Sequence, residues 1–254
     1  MIDIHCHILP GIDDGAKTIE DSLMMARVAV DEGIKTLVAT PHHQNGKYIN
    51  DKEDIEQLVI ELQNNINEAK IPLQIIAGQE VRLYGDLIED IKHNEILTLG
   101  NKYVLVEFPS NHVPRYTEKL FYDLQLEKKV PIIVHPERNT ELMKNPDVLL
   151  KLVEKGALTQ LTASSLVGAF GKNIQKFSRQ LIEADLTHFI ASDAHNTTSR
   201  GFYLKDAYYE IEKRYGNHKV FEFQENVESL LEGRMIYPES PKSVKKKSFF
   251  SLFR

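Results

Sequence analysis

Seven short runs of β-branched and apolar residues recur along this chain, alternating with longer stretches whose apolar residues fall at helical spacing. Strands separated by helix-length segments cannot pair as hairpins. They must be joined by crossovers, which commits the chain to a parallel sheet wrapped by helices. The strands are expected at Ile2 to Cys6, Ile34 to Thr40, Leu73 to Glu80, Tyr103 to Glu107, Val130 to His135, Ala157 to Thr162 and Thr187 to Ser192. Pro131-Ile132-Ile133-Val134 is apolar without interruption, as strands covered on both faces are.

Thr18 with Asp21 three residues on marks the start of the first helix. Ile19, Leu23, Ala26 and Val30 are its expected buried stripe, and Gly33 its end. Ile55, Val59, Leu62 and Ile66 stripe the second helix. Further helices are expected over Asp86 to Lys92, Thr117 to Lys129, Pro146 to Gly156, Lys172 to Asp185, Tyr203 to Tyr215 and Lys219 to Leu231. A chain of 254 residues is one α/β barrel's worth. No linker-like break precedes residue 236, so residues 1–240 read as one domain and 241–254 as a basic, aromatic C-terminal tail.

The net charge is −6, yet five bases and no acids lie from Lys242 onward, so the body through Glu239 carries −11. A surface so acidic argues against nucleic acid as a ligand, because that affinity comes from basic footprints. The single cysteine, Cys6, forms no internal disulfide and suits a reducing compartment. The opening Met1-Ile2-Asp3-Ile4-His5 lacks a secretory signal, and no apolar stretch approaches about 18 residues, so a cytoplasmic location is expected. The tail's lysines and phenylalanines offer a weak contact to an anionic membrane surface or a partner protein. A loose, solvated end is the commoner fate of such a terminus.

The histidines and acids are distributed with a pattern. His5 and His7 end the first expected strand, His42 follows the second, Glu80 ends the third, Glu107 the fourth, His135 the fifth, and Asp193 with His195 the seventh. In a closed parallel barrel those ends all face one mouth, where active sites are found. Residues two apart on a strand share a face, so His5 with His7, and Asp193 with His195, each offer two groups to one place while Cys6 points away. Singly, a histidine is more often an ordinary hydrogen-bonded residue than a ligand. His43, His93, His112, His188 and His218 keep that reading, with His112 following the fourth strand closely enough to approach the mouth. An ionised acid at a strand end, by contrast, is costly without a cation nearby. Asp13-Asp14-Gly15 is a turn by composition, and its place above the first strand makes Asp14 a ninth candidate.

Imidazoles and carboxylates without a thiolate suit Zn, Mn or Fe, and nine such groups serve two or three ions. Three divalent ions against Asp14, Glu80, Glu107 and Asp193 leave a charge of about +2, which draws in an anionic substrate. Metal binding also lowers the pKa of water to about 7 and so supplies a nucleophile. Arg138, in His135-Pro136-Glu137-Arg138, and Arg200 stand where an anion clamp belongs, because guanidinium pairs bidentately with phosphate. A surface salt bridge is the alternative for each. Ser164 and Ser165 line the mouth or pack a helix. A thiolate nucleophile of the Cys-x5-Arg kind is excluded, because Ile12 stands where that arginine belongs.

The string Asp3-Ile-His5-Cys-His7-Ile-Leu-Pro-Gly-Ile-Asp-Asp14-Gly is followed in order by Thr40-Pro-His42-His, Gly78-Gln-Glu80-Val, Val106-Glu107-Phe-Pro, Val134-His135-Pro-Glu-Arg138 and Ser192-Asp193-Ala-His195. Together these segments resemble the PHP (polymerase and histidinol phosphatase) superfamily. Within it they are similar to the bacterial metal-dependent protein tyrosine phosphatases of capsule and exopolysaccharide operons, the CpsB and YwqE type. The resemblance covers about residues 1–240. It implies a distorted (β/α)7, TIM-like barrel of the PHP type with three metal ions, most often Mn. By position His5, His7, Glu80 and Asp193 would hold the first, Glu80 as a bridge with Glu107 and His135 the second, and Asp14, His42 and His195 the third. Many PHP relatives carry His where Asp14 and Glu107 stand here, and the carboxylates favour harder metals. The implied substrate is phosphotyrosine on a bacterial tyrosine kinase and on other phosphotyrosine proteins.

For such a substrate Arg138 and Arg200 take up phosphate charge, and a metal-site acid, Asp193 or His195, assists the tyrosine oxygen, whose pKa is near 10. Two other readings stay open: a small-molecule phosphomonoesterase such as histidinol phosphatase, and a non-catalytic binder of phosphotyrosine tails.

Overall fold

The computed structural model describes residues 1–245. Lys246, Lys247, Phe249, Phe250, Phe253 and Arg254, on which the membrane-surface or partner reading of the tail rests, lie outside the described residues. Where the chain alternates, it alternates as expected. The strands are β1 (Ile2–Cys6), β2 (Thr36–Ala39), β3 (His42–His43), β4 (Gln74–Ala77), β5 (Glu80–Arg82), β6 (Tyr103–Glu107), β7 (Val130–Val134), β8 (Leu158–Thr162) and β9 (Phe189–Ala191). Helices α1 (Ile19–Asp31), α2 (Lys52–Glu68), α3 (Leu87–Lys92), α4 (Thr117–Leu126), α5 (Thr140–Lys144), α6 (Asp147–Glu154), α7 (Ala163–Val167), α8 (Lys172–Glu183), α9 (Leu204–Tyr215) and α10 (Asn217–Leu231) cover them.

The expected second and third strands are each broken in two. Pro41, which has no N–H to give a ladder, separates β2 from β3. Gly78 separates β4 from β5 where the backbone passes so close that an added Cβ would lie 2.6 Å from Val38 Cγ1. The result is two parallel sheets, β1-β2-β4 and β3-β5-β6-β7-β8-β9, in place of one continuous closed ring. Their edges meet without a full ladder. Asp193 N–H donates to His5 O (2.8 Å) and His7 N–H to Ala194 O (2.9 Å) on one side. Across the breaks themselves, Gly78 N–H donates to Ala39 O (2.8 Å) and Glu80 N–H to Pro41 O (3.0 Å), so the pairing of β2 with β4 runs on into that of β3 with β5.

Two cores result. The larger lies between strands and helices and includes Cys6, Leu37, Val104, Ile133, Leu161 and Ile190. The smaller gathers Ile4, Val38, Leu105, Ile132, Leu158 and Phe189 with Val227 and Leu230 of α10. The alternation of strand side chains between these two clusters places every second residue on the inner side. In β1 the pairing register slips between Asp3 and Cys6. That slip brings both Ile4 and His5 to the inner side, because a bulge re-aims one side chain without ending the strand.

Thr18 caps α1 as expected: its hydroxyl accepts from Asp21 N–H while the Asp21 carboxylate accepts from Thr18 N–H, a complete capping box. Of the expected stripe of α1, Ala26 is buried and Ile19, Leu23 and Val30 are half-buried against the core, while Ser22, Met25 and Ala29 complete the buried face. Small Ala26 and Ala29 let the helix approach closely, and Ser22 Oγ donates to Ile8 O at 2.6 Å. The expected stripe of α2 is buried at all four positions. Three short elements went unexpected: α5, α7 and the 3-10 turn Pro136–Arg138, each too brief for a periodic signal. At the far end Lys242 N–H donates to Ala184 O (2.8 Å), its ammonium pairs with Asp185 (2.7 Å), and Val244 is buried. No helix among the described residues is long and apolar enough to cross a membrane.

Candidate metal centre

The C-terminal ends of the strands bring the candidate residues together. Three groups of donor atoms have all members within 4.8 Å of one another: His5, His7 and Asp193; His7, Asp14, His42 and His195; and His42, Glu80 and Glu107. His7 and His42 each belong to two of them, so the groups form one connected cluster. Glu80 Oε2 lies 3.3 Å from His7 Nε2, 3.5 Å from His5 Nε2 and 2.7 Å from His42 Nδ1. Asp193 Oδ1 lies 3.4 Å from His7 Nε2 and 3.5 Å from His5 Nε2, and Asp14 Oδ1 is 3.3 Å from both His42 and His195 Nε2. His135 stands to one side of the three groups, with Nε2 donating to Glu80 Oε1 at 2.8 Å.

The imidazoles are aimed by what holds their other nitrogen. His7 Nδ1 donates to the buried Asp13 carboxylate (2.7 Å), His5 Nδ1 to Gln160 Oε1 (2.9 Å) and His195 Nδ1 to Asp193 O (2.9 Å). Amide, carbonyl and carboxylate oxygens accept, so each proton sits on Nδ1 and each Nε2 lone pair faces the cluster. The His5 and His7 Nε2 atoms are only 3.3 Å apart. Buried His42 Nδ1, His195 Nε2 and Glu80 Oε2 lie close to one another or to Asp14, yet none is aligned for a hydrogen bond within the protein. Converging lone pairs and unpartnered buried donor atoms of this kind fit divalent cations, and the N/O chemistry fits hard to borderline ones.

The backbone is bent to achieve this. His135 (φ 37°) and Asp193 (φ 51°) are left-handed without being glycine, a cost of roughly 1–3 kcal/mol each that the neighbouring strands must hold. His135 N–H donates to Gln160 O (2.8 Å) and Asp193 N–H to His5 O (2.8 Å). Gly15 passes directly against His7, where an added Cβ would lie 2.5 Å from His7 Cβ and closer still to its carbonyl oxygen.

The electrostatics describe a cavity short of positive charge. Burial draws His42 down, but Glu80 and Asp14 more than offset it and leave its pKa at about 10. Burial opposes ionisation of Glu80 and Asp193. His42 and His5 around the first, and Arg138 with His7 around the second, still hold both carboxyls well below the ordinary range. Burial together with Glu80 pushes Glu107 up to about 7 against the pull of His42 and Arg82. His135, buried beside Arg138, falls to about 4, and His195, buried beside His7, also to about 4, so both are neutral donors.

Arg138 and Arg200 both reach this rim. Arg138 Nη2 pairs with Asp193 Oδ2 at 2.6 Å, and its guanidinium lies 5.6 Å over the Phe170 ring. Arg200 reaches Asp14 Oδ2 (3.2 Å) and Asp193 Oδ2 (3.5 Å). Both line a cavity of about 330 Å³ that opens on His42, Glu107, His135 and Asp193. Ser164 and Ser165 do not line it; both are buried in α7. His43 donates to Asn50 O, His188 accepts from Thr159 N–H, and exposed His112 bonds Asn111, as ordinary histidines do. Asp13, Gln160 and Arg82, whose Nε donates to Glu107 (2.9 Å), were not foreseen. Gln160 carried a signal, a long amide side chain inside a fully buried strand, Leu-Thr-Gln-Leu-Thr.

This chain matches the family described as capsular polysaccharide synthesis, CpsB/CapC, over residues 1–232. It is 48% identical over 254 residues to the tyrosine-protein phosphatase YwqE of Bacillus subtilis, with 100% of both chains covered. It is 42% identical to the putative tyrosine-protein phosphatase CapC of Staphylococcus aureus, covering 99% of this chain and 100% of that one. A solved structure from work on YwqE of Bacillus subtilis and CpsB of Streptococcus pneumoniae, described as unique metal-dependent tyrosine phosphatases, superposes with a TM-score of 0.94 at 48% identity. It covers 97% of this chain and 100% of that one.

Proposed function

The chain belongs to the CpsB/CapC family of capsular polysaccharide synthesis, and on that premise we propose that it is a metal-dependent tyrosine-protein phosphatase acting on a tyrosine-phosphorylated bacterial tyrosine kinase and other phosphotyrosine proteins. One observation carries this reading: eight imidazole and carboxylate groups at one rim, with His135 bonded to Glu80 beside them, flanked by two arginines that share Asp193. On this reading the two sheets are halves of a distorted (β/α)7 barrel, the location is cytoplasmic, and the ions are three, preferably Mn, with Fe or Zn as alternatives. His5, His7, Glu80 and Asp193 would hold one, Glu80, Glu107 and His135 a second, and Asp14, His42 and His195 a third. When bound, the ions supply Lewis-acid charge and lower the pKa of water to about 7.

The remaining chemistry belongs to the chain. Arg138 and Arg200 receive the phosphate oxygens, exchanging part of their contact with Asp193 and Asp14 for the incoming dianion. Asp193 spaces the two guanidinium groups and, through its carbonyl, holds His195 Nδ1–H so that Nε2 faces the site. The tyrosine oxygen, with a pKa near 10, is a tolerable leaving group. Asp193, held ionised beside Arg138, and neutral His195, whose proton sits on Nδ1, have no proton to give it and instead hold charge and geometry at the rim. The acidic body repels nucleic-acid backbones.

Phosphate release from a phosphotyrosyl peptide, measured with elemental analysis of native protein, Glu80→Ala and His135→Ala, tests the reading. Native protein should lose activity to a chelator and regain it with Mn, and both variants should lose metal and activity together. Much faster turnover of histidinol phosphate than of the peptide would replace this reading with a small-molecule phosphatase. Peptide binding that survives chelation, with no release at any metal loading, would replace it with a binder.

A further inference from the structure

The cavity at the metal centre has two unlike sides. One is the charged rim already described; the other is built from Phe108, Val134 and Pro136, with Ser110 and Asn139 at its edge. The residues of this second side come from two segments, the loop 108–112 after β6 and the turn 134–139 after β7, which nothing in the sheet ladder holds together. Asn139 does so. It is 5% exposed and uses every polar atom it has. Its Nδ2 donates to Pro109 O (2.8 Å) and His112 O (3.1 Å), while Oδ1 accepts from Glu141 and Leu142 N–H (3.0 Å each) to cap α5. Thr140 N–H adds a bond to Ser110 O at 3.0 Å. Phe108 is in turn backed by the Phe121 ring, 6.1 Å away at 21°.

We propose that this wall is the surface that recognises the aryl group of the substrate ester, with Phe108 as its specificity-determining residue and Asn139 as the positioning residue that clamps it. The inference rests on the phosphatase reading above. A phosphate held by Arg138 and Arg200 leaves its organic group against Phe108 and Pro136, an apolar surface that rewards a ring and gives nothing to a charged or short alkyl chain. Rigidity matters because an aromatic subsite discriminates only when its walls stay put. The two hydrogen bonds from Asn139 to the loop therefore belong to recognition, and the two it accepts belong to the helix cap.

The test compares KM for a phosphotyrosyl peptide with the inhibition constant of inorganic phosphate, which fills only the charged side. Phe108→Leu and Ser110→Trp, the second at an exposed edge where folding is not at risk, should each raise KM about tenfold, a loss of about 1.4 kcal/mol, and leave the phosphate constant where it was. Asn139→Asp keeps both cap acceptors but replaces both donors to the loop with a carboxylate oxygen that repels the Pro109 and His112 carbonyls, so it should release the loop and show the same split while α5 keeps its cap. If KM and the phosphate constant rise together, or if neither moves in Phe108→Leu and Ser110→Trp, the wall does not recognise the ring. A kinetically silent Asn139→Asp beside a damaging Asn139→Ala would make Asn139 a helix cap only. Wild-type protein that fails to turn over the peptide at all would overturn the phosphatase reading itself, a result separate from these.

Discussion

Asp13 and Asp14 are neighbours in sequence with opposite fates. Asp14, half exposed, turns its carboxylate to His42 and His195, whereas buried Asp13 grips His7 Nδ1 and Gly15 N–H. Outer partners of this kind set ligand orientation and basicity, so Asp13→Ala should weaken metal binding by about 10–100-fold. Metal titration of activity checks this: the maximum should be largely recovered at high metal, and an unchanged half-saturation point would contradict the assignment. Gly15→Ala places a methyl group into His7 and should cost metal content outright, read by elemental analysis. The histidines and acids at the strand ends were legible because periodicity located the strands. Asp13 was not, because nothing in a linear string distinguishes a turn aspartate from one that folds back on an imidazole; the amide of Gln160 inside a buried strand was a signal, but it named no partner.

At the level of elements, the capping box of α1 was readable because its two residues bond across three positions of local backbone. Thr18→Ala should lower unfolding free energy by about 1 kcal/mol and leave phosphatase activity unaltered, a pairing that denaturant melts and peptide assays check together. The centre of the face that α1 buries was less legible: the expected stripe packs on the core, but which residues are fully covered depends on how the helix meets Ile8, where Ser22 with Ala26 and Ala29 makes the approach. The breaks at Pro41 and Gly78 follow the same division. Both residues are conspicuous in sequence, but only the fold shows that the strands divide there, at Gly78 because the backbone passes close against Val38.

For the whole molecule, the metal centre is also a stability element. Carboxylates and imidazoles crowd one rim with little cationic compensation, so ions that bind only the folded chain should raise the melting temperature by several degrees, and a chelator should lower it. A chelated protein that melts where the loaded one does would count against bound ions. Acid sensitivity has an additional source away from the rim. Burial, and then Lys219, lower the pKa of His188 to about 3, against 6.5 when exposed. Between those values the unfolded chain takes up a proton that the folded chain refuses. The stabilisation is therefore whole above about 6.5 and is lost progressively as the pH falls toward 3. His188→Gln should lose less stability than the parent between pH 7 and 4.5 in denaturant melts, and equal losses would refute it.

The order of the main strands and helices, the strand ends that carry the candidate ligands, and the choice of imidazole and carboxylate over thiolate were all determined by sequence alone. Those properties depend on periodicity and side-chain chemistry, which are local. The split of the sheet, the register slip that turns His5 inward, the left-handed bends at His135 and Asp193, and the clamp of Asn139 across two loops were decided only in three dimensions. Each of these depends on how segments remote in sequence approach one another, a matter of contact distances that no run of letters contains.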